Sequence, residues 1–303
     1  MTEAILIAGP TASGKSAAAL ALAKRLGGTI INADSMQVYR ELSVLTARPA
    51  SAEMVAVPHR LYGIVPATEA YSVGRWLADA ATAMDEARRQ GRVPILVGGT
   101  GLYFKALLEG LSPVPEIPPE TRDVWRQQSN KLGPQELHRA LQDRDPVMGA
   151  RLSPTDPQRV VRALEVIDAT GISLAEWQGT AGTPTLASDA ALRLVVAPER
   201  APLYAAIDAR FDRMIDSGAI DEVTALRAMG LDPGLPAMRA HGVRELAAHL
   251  AGDMGLEEAA TKAKTESRRY AKRQMTWLKR FMRDWEWVPD GETAVAAASS
   301  VKS

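Results

Sequence analysis

The chain has 303 residues, 46% apolar and 24% charged, with 36 Lys+Arg against 36 Asp+Glu and no cysteine. This composition argues against disorder, collagen and a coiled coil, and the missing cysteine removes disulfides, thiol nucleophiles, thiolate zinc sites and iron–sulfur clusters. No stretch approaches the roughly 18 uninterrupted apolar residues of a membrane span, and a zero net charge by itself points away from a nucleic-acid partner.

In chain order, Ala4-Ile5-Leu6-Ile7-Ala8 is a short apolar run closed by Gly9-Pro10 and reads as a buried strand. No basic leader stands before it, so a cytoplasmic protein is expected. A helical pattern runs from Lys15 to Arg25 and stops at Gly27-Gly28, a C-cap signal. Thr29–Asn32 reads as a second strand, Val73–Gln90 as a helix stopped by Gly91, and Val93–Val97 as a third strand. Strands alternating with helices imply a parallel sheet joined by right-handed crossovers. After Gly110 the rhythm changes. Pro113, Pro115, Pro118 and Pro119 mark a boundary, residues 120–177 read as short helices, and Gly179–Ser188 closes the block. Leu192–Val196 returns to strand character, and helices follow from Ala201 to Arg283.

The expected fold is α/β, a phosphate-loop NTPase-like parallel sheet flanked by helices, over 1–112 and 189–289. A helical insertion domain occupies 113–188, and the Ala/Ser-rich end, 290–303, is expected to fray.

Gly9-Pro10-Thr11-Ala12-Ser13-Gly14-Lys15-Ser16 fits G-x-x-x-x-G-K-S/T, after a strand and at the start of a helix. Glycines let successive backbone N–H groups point at one anion, and the helix N-terminus adds a favourable dipole. Lys15 adds a charge and Ser16 a hydroxyl for magnesium, so a di- or triphosphate is expected. Nucleotide hydrolases usually carry an Asp at the end of a second apolar strand. Here Pro94–Val97 ends in Gly98-Gly99-Thr100, and the acid in a comparable place is Asp34, just past Thr29–Asn32. Carboxyl ends of parallel strands converge on one crevice, which brings Asp34, Thr100 and the loop together. By position alone Asp34 reads equally well as a turn residue, and Thr100 reads more readily as one.

From Lys262 to Arg283 stand nine basic residues against Glu266, a local charge of about +8. A solvated amphipathic helix and a phosphate-tracking surface both fit that run. His59, His138, His241 and His249 lack metal-ligand spacing, and Trp277, Trp285 and Trp287 read as core first and base-stacking second.

Seven colinear pieces carry a family resemblance. They are Gly9–Ser16, Asp34–Arg40, Pro58–Leu61, Gly98–Tyr103, Asp156–Arg159 with Arg162–Glu165, Arg210–Met214 and Tyr270–Trp277. In this order they resemble the tRNA dimethylallyltransferase (tRNA isopentenyltransferase) family over nearly the whole chain. The resemblance implies transfer of a dimethylallyl group from dimethylallyl diphosphate to the exocyclic amine of the adenosine 3′ of the anticodon. It implies that Asp34 accepts the proton, and that Lys15, Arg210, Ser16 with magnesium and the loop Gly9–Ser16 stabilise the diphosphate. Thr100 matches a family threonine where the two substrates meet.

By the same resemblance the tRNA anticodon stem-loop faces Asp34, Ser35, Met36, Gln37 and Thr100. It also faces Gln158, Arg159, Val160, Val161 and Arg162, then Arg239, Ala240, His241, Gly242, Val243 and Arg244, then Lys272 and Arg273. Arg159 and Arg162, three apart on one helix face, would on their own be read as a solvated surface. A monomer with no membrane contact is expected. The family has an acidic residue and a glycine where Ser43 and Leu45 stand, a lysine at Arg48, and often an aromatic at Val243. A prenyltransferase acting on free adenine nucleotides would share the phosphate loop and Asp34 but would not need the insertion or the basic helix. A small-molecule kinase would share the loop.

Overall fold

A computed structural model describes residues 2–298. The chain begins β1 (Ala4–Ala8), α1 (Lys15–Leu26), β2 (Thr29–Asn32), α2 (Ser51–Ala56), β3 (His59–Arg60), α3 (Val73–Arg89), β4 (Pro94–Gly98) and α4 (Gly101–Glu109). Then come α5 (Pro119–Lys131), α6 (Pro134–Arg144), α7 (Pro146–Arg151), α8 (Pro157–Thr170) and α9 (Leu174–Trp177). The chain continues with β5 (Ala191–Val196), α10 (Arg200–Asp216), α11 (Ala219–Ala228), α12 (Val243–Leu250), α13 (Leu256–Phe281), β6 (Glu286–Val288) and α14 (Gly291–Ala297).

The six strands form one parallel sheet in the order β3-β2-β4-β1-β5-β6. β1, β2 and β4 are buried throughout, as strands covered on both faces must be. Alternate residues feed two cores. Leu6, Ile31 and Leu96 point into one with Trp76, Phe104 and Phe211, while Ile5, Ile7, Ile30 and Ile95 point into the other with α1 and α14. Each large side chain so buried contributes about 1.5–3 kcal/mol, which is why these short runs are strands at all. The loops that follow β1, β2 and β4 leave the parallel sheet at the carboxyl ends of its strands, and that end carries the phosphate loop, Asp34 and Thr100.

The chain divides into two compact units, residues 1–108 with 185–303, and residues 109–184. The second has its own core, with Trp125, Leu141, Met148, Val160 and Leu164. Pro119, Pro134, Pro146 and Pro157 each open one of its helices, where a missing N–H costs nothing. Asp145 caps α7 through the Met148 N–H at 3.0 Å and accepts the Ser173 hydroxyl at 2.8 Å. The unit closes earlier than the composition suggests. Thr185 and Leu186 donate their N–H groups to the Leu107 carbonyl at 2.9 and 3.1 Å, and Leu186 is buried in the first unit.

Over residues 290–298 the structure shows a packed helix where a frayed 290–303 is expected from the sequence. Asp290 caps α14 by accepting the Thr293 N–H at 2.8 Å, and Ala294 and Ala298 are buried with Ala18, Leu22 and Val288. Small alanines let α14 lie close on α1, so an Ala-rich run here is a packing surface. Residues 299–303 lie outside the described residues. β3, His-Arg, and β6, Glu-Trp-Val, have no strand-like apolar pattern; each is an edge strand whose partner, β2 or β5, supplies the pairing.

Candidate active site

The phosphate loop turns out of β1 with Gly14 in the left-handed region at φ 88°, a conformation that favours glycine, and enters α1 at Lys15. Lys15 is half-buried, and its ammonium donates to the Pro10 carbonyl at 3.0 Å. Burial lowers its pKa to about 8; nearby Asp34 opposes that shift and Arg210 adds to it. Arg210, on α10, donates to the Thr11 hydroxyl, and its pKa is likewise lowered by burial. Neither cation has an ion pair among the described residues. Two half-buried cations at the N-terminus of α1 suit a multiply charged anion.

Asp34 is held by its neighbours. Fully buried Asn32 accepts the Asp34 N–H at 2.8 Å and donates to the Asp34 and Leu61 carbonyls at 2.9 and 3.1 Å. Trp76 donates its indole N–H to the Asn32 carbonyl at 2.8 Å and stacks on Tyr103, with 4.3 Å between centroids, so α3 and α4 brace the same turn. One oxygen of Asp34 accepts the Met36 N–H at 2.9 Å. The other has no hydrogen bond among the described residues. Thr100 accepts the Ser35 N–H at 3.0 Å and donates to the Ser35 hydroxyl at 3.3 Å. Its side chain thus holds the Asp34 turn against the end of β4.

A cleft of about 350 Å³ runs over the loop and is lined by Thr11–Ser16, Asp34, Gln37, Thr46–Pro49, His59, Tyr62, Arg210 and Arg213. A second pocket of about 180 Å³ shares Thr11, Asp34, Thr46 and Arg210 with the cleft and adds Met36, Leu45, Phe211, Met214, Arg239, His241 and Tyr270. Asp34 and Arg210 therefore stand where the two meet. His59 bonds the Val57 carbonyl through Nδ1 at 2.9 Å, and burial lowers its pKa.

The wall formed by Ser43–Pro49 is anchored at a distance. The Glu222 carboxylate, on α11, accepts the N–H groups of Ser43, Val44 and Leu45 at 2.6, 2.8 and 3.0 Å and the Ser43 hydroxyl at 3.0 Å. Arg48 donates to the Tyr39 and Arg40 carbonyls at 3.2 Å. Nothing in the sequence around Glu222 marks it.

The remaining RNA-facing candidates separate by burial. On α8, Gln158 and Arg159 are exposed and Arg162 and Val161 half-buried, with Arg159 paired to Asp156 and Arg162 to Glu165, both at 3.3 Å. Val160 is 0% exposed, so its side chain belongs to the core of its unit. Arg239 and Arg244 are exposed, His241 is half-buried against Tyr270, and Ala240, Gly242 and Val243 are buried. On α13 the basic run splits. Lys262, Lys264, Arg268 and Arg269 pair with Glu258, Asp212, Asp208 and Glu266 at 2.5–2.7 Å. Lys272, Arg273, Lys279 and Arg280, with Arg283 just past the end of the helix, are exposed and have no acidic partner among the described residues. Trp285 is core, edge-on to Phe104, whereas Trp277 is half-buried beside Phe281.

Comparison with known proteins places these features in company. The IPP transferase family model matches residues 37–281. A tRNA dimethylallyltransferase of a Bradyrhizobium species is 54% identical over 288 residues, covering 95% of this chain and 94% of its own. The tRNA dimethylallyltransferase of Methylocella silvestris is 51% identical, covering 97% of each. Among solved structures, the tRNA isopentenylpyrophosphate transferase of Bacillus halodurans is similar with a TM-score of 0.68 and 35% identity, covering 97% of this chain and 94% of its own. A eukaryotic dimethylallyltransferase described as acting on tRNA gives a TM-score of 0.80 at 27% identity, covering 99% of this chain and 77% of its own.

Proposed function

The chain belongs to the IPP transferase family, and from that premise we propose that it transfers a dimethylallyl group from dimethylallyl diphosphate to tRNA. The acceptor is the exocyclic amine of the adenosine 3′ of the anticodon. The observation that carries this reading is the unpartnered oxygen of Asp34 at the junction of the anion cleft and the second pocket.

The adenine amine is a weak nucleophile and must lose a proton as its nitrogen bonds to C1 of the prenyl group. Asp34 accepts that proton on the oxygen not used by Met36. The bond from C1 to the diphosphate oxygen breaks with it, and negative charge grows on the leaving group. Lys15, Arg210 and the loop amides stabilise that charge. No strand-end acid stands beside Gly98-Gly99-Thr100, so the loop is furnished to hold a leaving diphosphate.

The loop also fits a magnesium–diphosphate. Ser16 is exposed in the cleft, with no hydrogen bond to its hydroxyl among the described residues. Among the described residues no group of three or more His, Cys, Asp or Glu could hold a metal unaided. That suits an ion taking most of its oxygen ligands from diphosphate and water, and it would supply further neutralisation of the leaving charge. The exposed cations of α13 from Lys272 onward, with Arg239 and Arg244, suit an RNA backbone. No helix among the described residues is long and apolar enough to cross a membrane, and we place the reaction in the cytoplasm, where its tRNA substrate is.

The test is transfer of label from radiolabelled dimethylallyl diphosphate to unmodified tRNA, beside a parallel reaction with labelled ATP. Transfer from ATP with none from the prenyl donor would overturn the assignment.

A further inference from the structure

Gln274 lies in the middle of α13 with 6% of its surface exposed. A buried primary amide needs partners at both ends, and this one has them. Nε2 donates to the Gly99 carbonyl at 2.9 Å, and Oε1 accepts the Thr11 N–H at 2.9 Å. Thr11 is in the phosphate loop, and its hydroxyl accepts from Arg210. Gly99 is in the turn after β4, whose next residue, Thr100, holds Ser35 beside Asp34. The fit at Gly99 is close: a Cβ there would stand 2.2 Å from Gln274 Nε2. One side chain therefore joins the two halves of the reaction centre, and it comes from the helix that carries Tyr270 and Arg273.

We propose that Gln274 is a positioning residue, whose carboxamide sets the spacing between the diphosphate cradle and the turn that holds the general base. The assignment rests on the diphosphate reading of the loop and goes beyond it in naming what holds loop and base in register. A methionine of similar size fills the space and grips neither neighbour. A glutamate carboxylate keeps the Thr11 contact and opposes the Gly99 carbonyl. A protonated glutamate has the donor and acceptor of the native amide. Gln274→Glu thus makes the spacing depend on one proton. The charged and titratable groups around it are Lys15, Asp34, Arg210, Tyr270 and Arg273. The same groups titrate in wild type and in Gln274→Met, which adds no charge, so the methionine variant gives the pH-independent part of the effect and the glutamate variant adds the effect of the proton.

The experiment measures kcat and KM for dimethylallyl diphosphate with the full chain, and tRNA affinity separately, between about pH 6 and about pH 8.5. Gln274→Met is expected to lose about ten- to a hundredfold in kcat/KM at every pH, with tRNA affinity unchanged. Gln274→Glu is expected to lose as much wherever its carboxyl is ionised and to regain activity relative to wild type as the pH falls and it takes up a proton. A Gln274→Met protein with wild-type kcat/KM, or a Gln274→Glu ratio that falls as the pH falls, overturns the assignment. If the glutamate variant does not fold, the methionine variant decides alone.

Calorimetric binding of magnesium pyrophosphate separates the two readings. A wild-type protein that binds pyrophosphate without prenylating tRNA overturns the proposed function. In that case, weaker pyrophosphate binding by Gln274→Met supports the positioning role, and equal binding removes it.

Discussion

Asp34 divides its work between its two oxygens. One fixes the turn through Met36, and the other, which has no hydrogen bond among the described residues, takes the proton in the proposed reaction. Asp34→Ala should therefore reduce transfer by about 10²–10⁴-fold while tRNA binding stays within about twofold, read by label transfer and by filter binding. Near-normal turnover would remove Asp34 as the base. Lys15 offers a second reading at this scale. Burial holds its pKa at about 8 in the folded protein against 10.5 ordinarily. Between those values the unfolded chain binds one more proton, so this group makes stability rise with pH there. Below about 8 the full cost of the buried charge is present. A bound diphosphate reverses the shift by favouring the ammonium. Pyrophosphate binding at about pH 9 should take up a proton, and its affinity should fall as pH rises further. Calorimetry in buffers of different ionisation heat measures this, and no uptake would remove Lys15 as the anion's partner. Lys15 and Asp34 were legible because motif and strand end sit next to them in sequence. Gln274 and Glu222 were not singled out, because their partners are 175 or more positions away.

Elements act here through what they hold. Strand β1 could be read from five apolar residues and a glycine, since burial on both faces writes itself as an unbroken run. The loop Ser43–Pro49 carries no such signature, and a single α11 carboxylate shapes it. Glu222→Ala leaves three backbone N–H groups without that acceptor. It should cost about 1–3 kcal/mol by denaturant unfolding and raise KM for the prenyl donor. A variant with unchanged stability and unchanged KM would show that the loop holds its shape without Glu222. Helix α13 is two surfaces in one element. The cations up to Arg269 are tied to Glu and Asp, and those from Lys272 are free of such ties. Replacing Lys279 and Arg280 by alanine should lower the slope of log affinity for tRNA against log salt by about one per lost phosphate contact. Lys262→Ala should leave it unchanged. Equal effects from the two would mean that the split has no bearing on RNA.

The whole molecule has a net charge of zero, and that sum conceals one strongly basic helix end balanced by acids elsewhere. Its C-terminal segment likewise closes the fold: α14 covers α1 through Ala294 and Ala298. Ending the chain at Pro289 should lower the thermal midpoint by about 2–4 °C for each kcal/mol of lost packing. An unchanged midpoint would mean that this helix adds nothing to stability. The sequence by itself determined the alternation of strands and helices, the phosphate loop, the insertion and the family. Each of these is written in neighbouring residues or in motifs kept in order. The tertiary structure decided which cations of α13 are available, which oxygen of Asp34 is open, that the tail is packed, and that Glu222 and Gln274 serve the site. Those facts depend on which groups meet in space, and a pairing such as Glu222 with Ser43 or Gln274 with Gly99 leaves no local pattern.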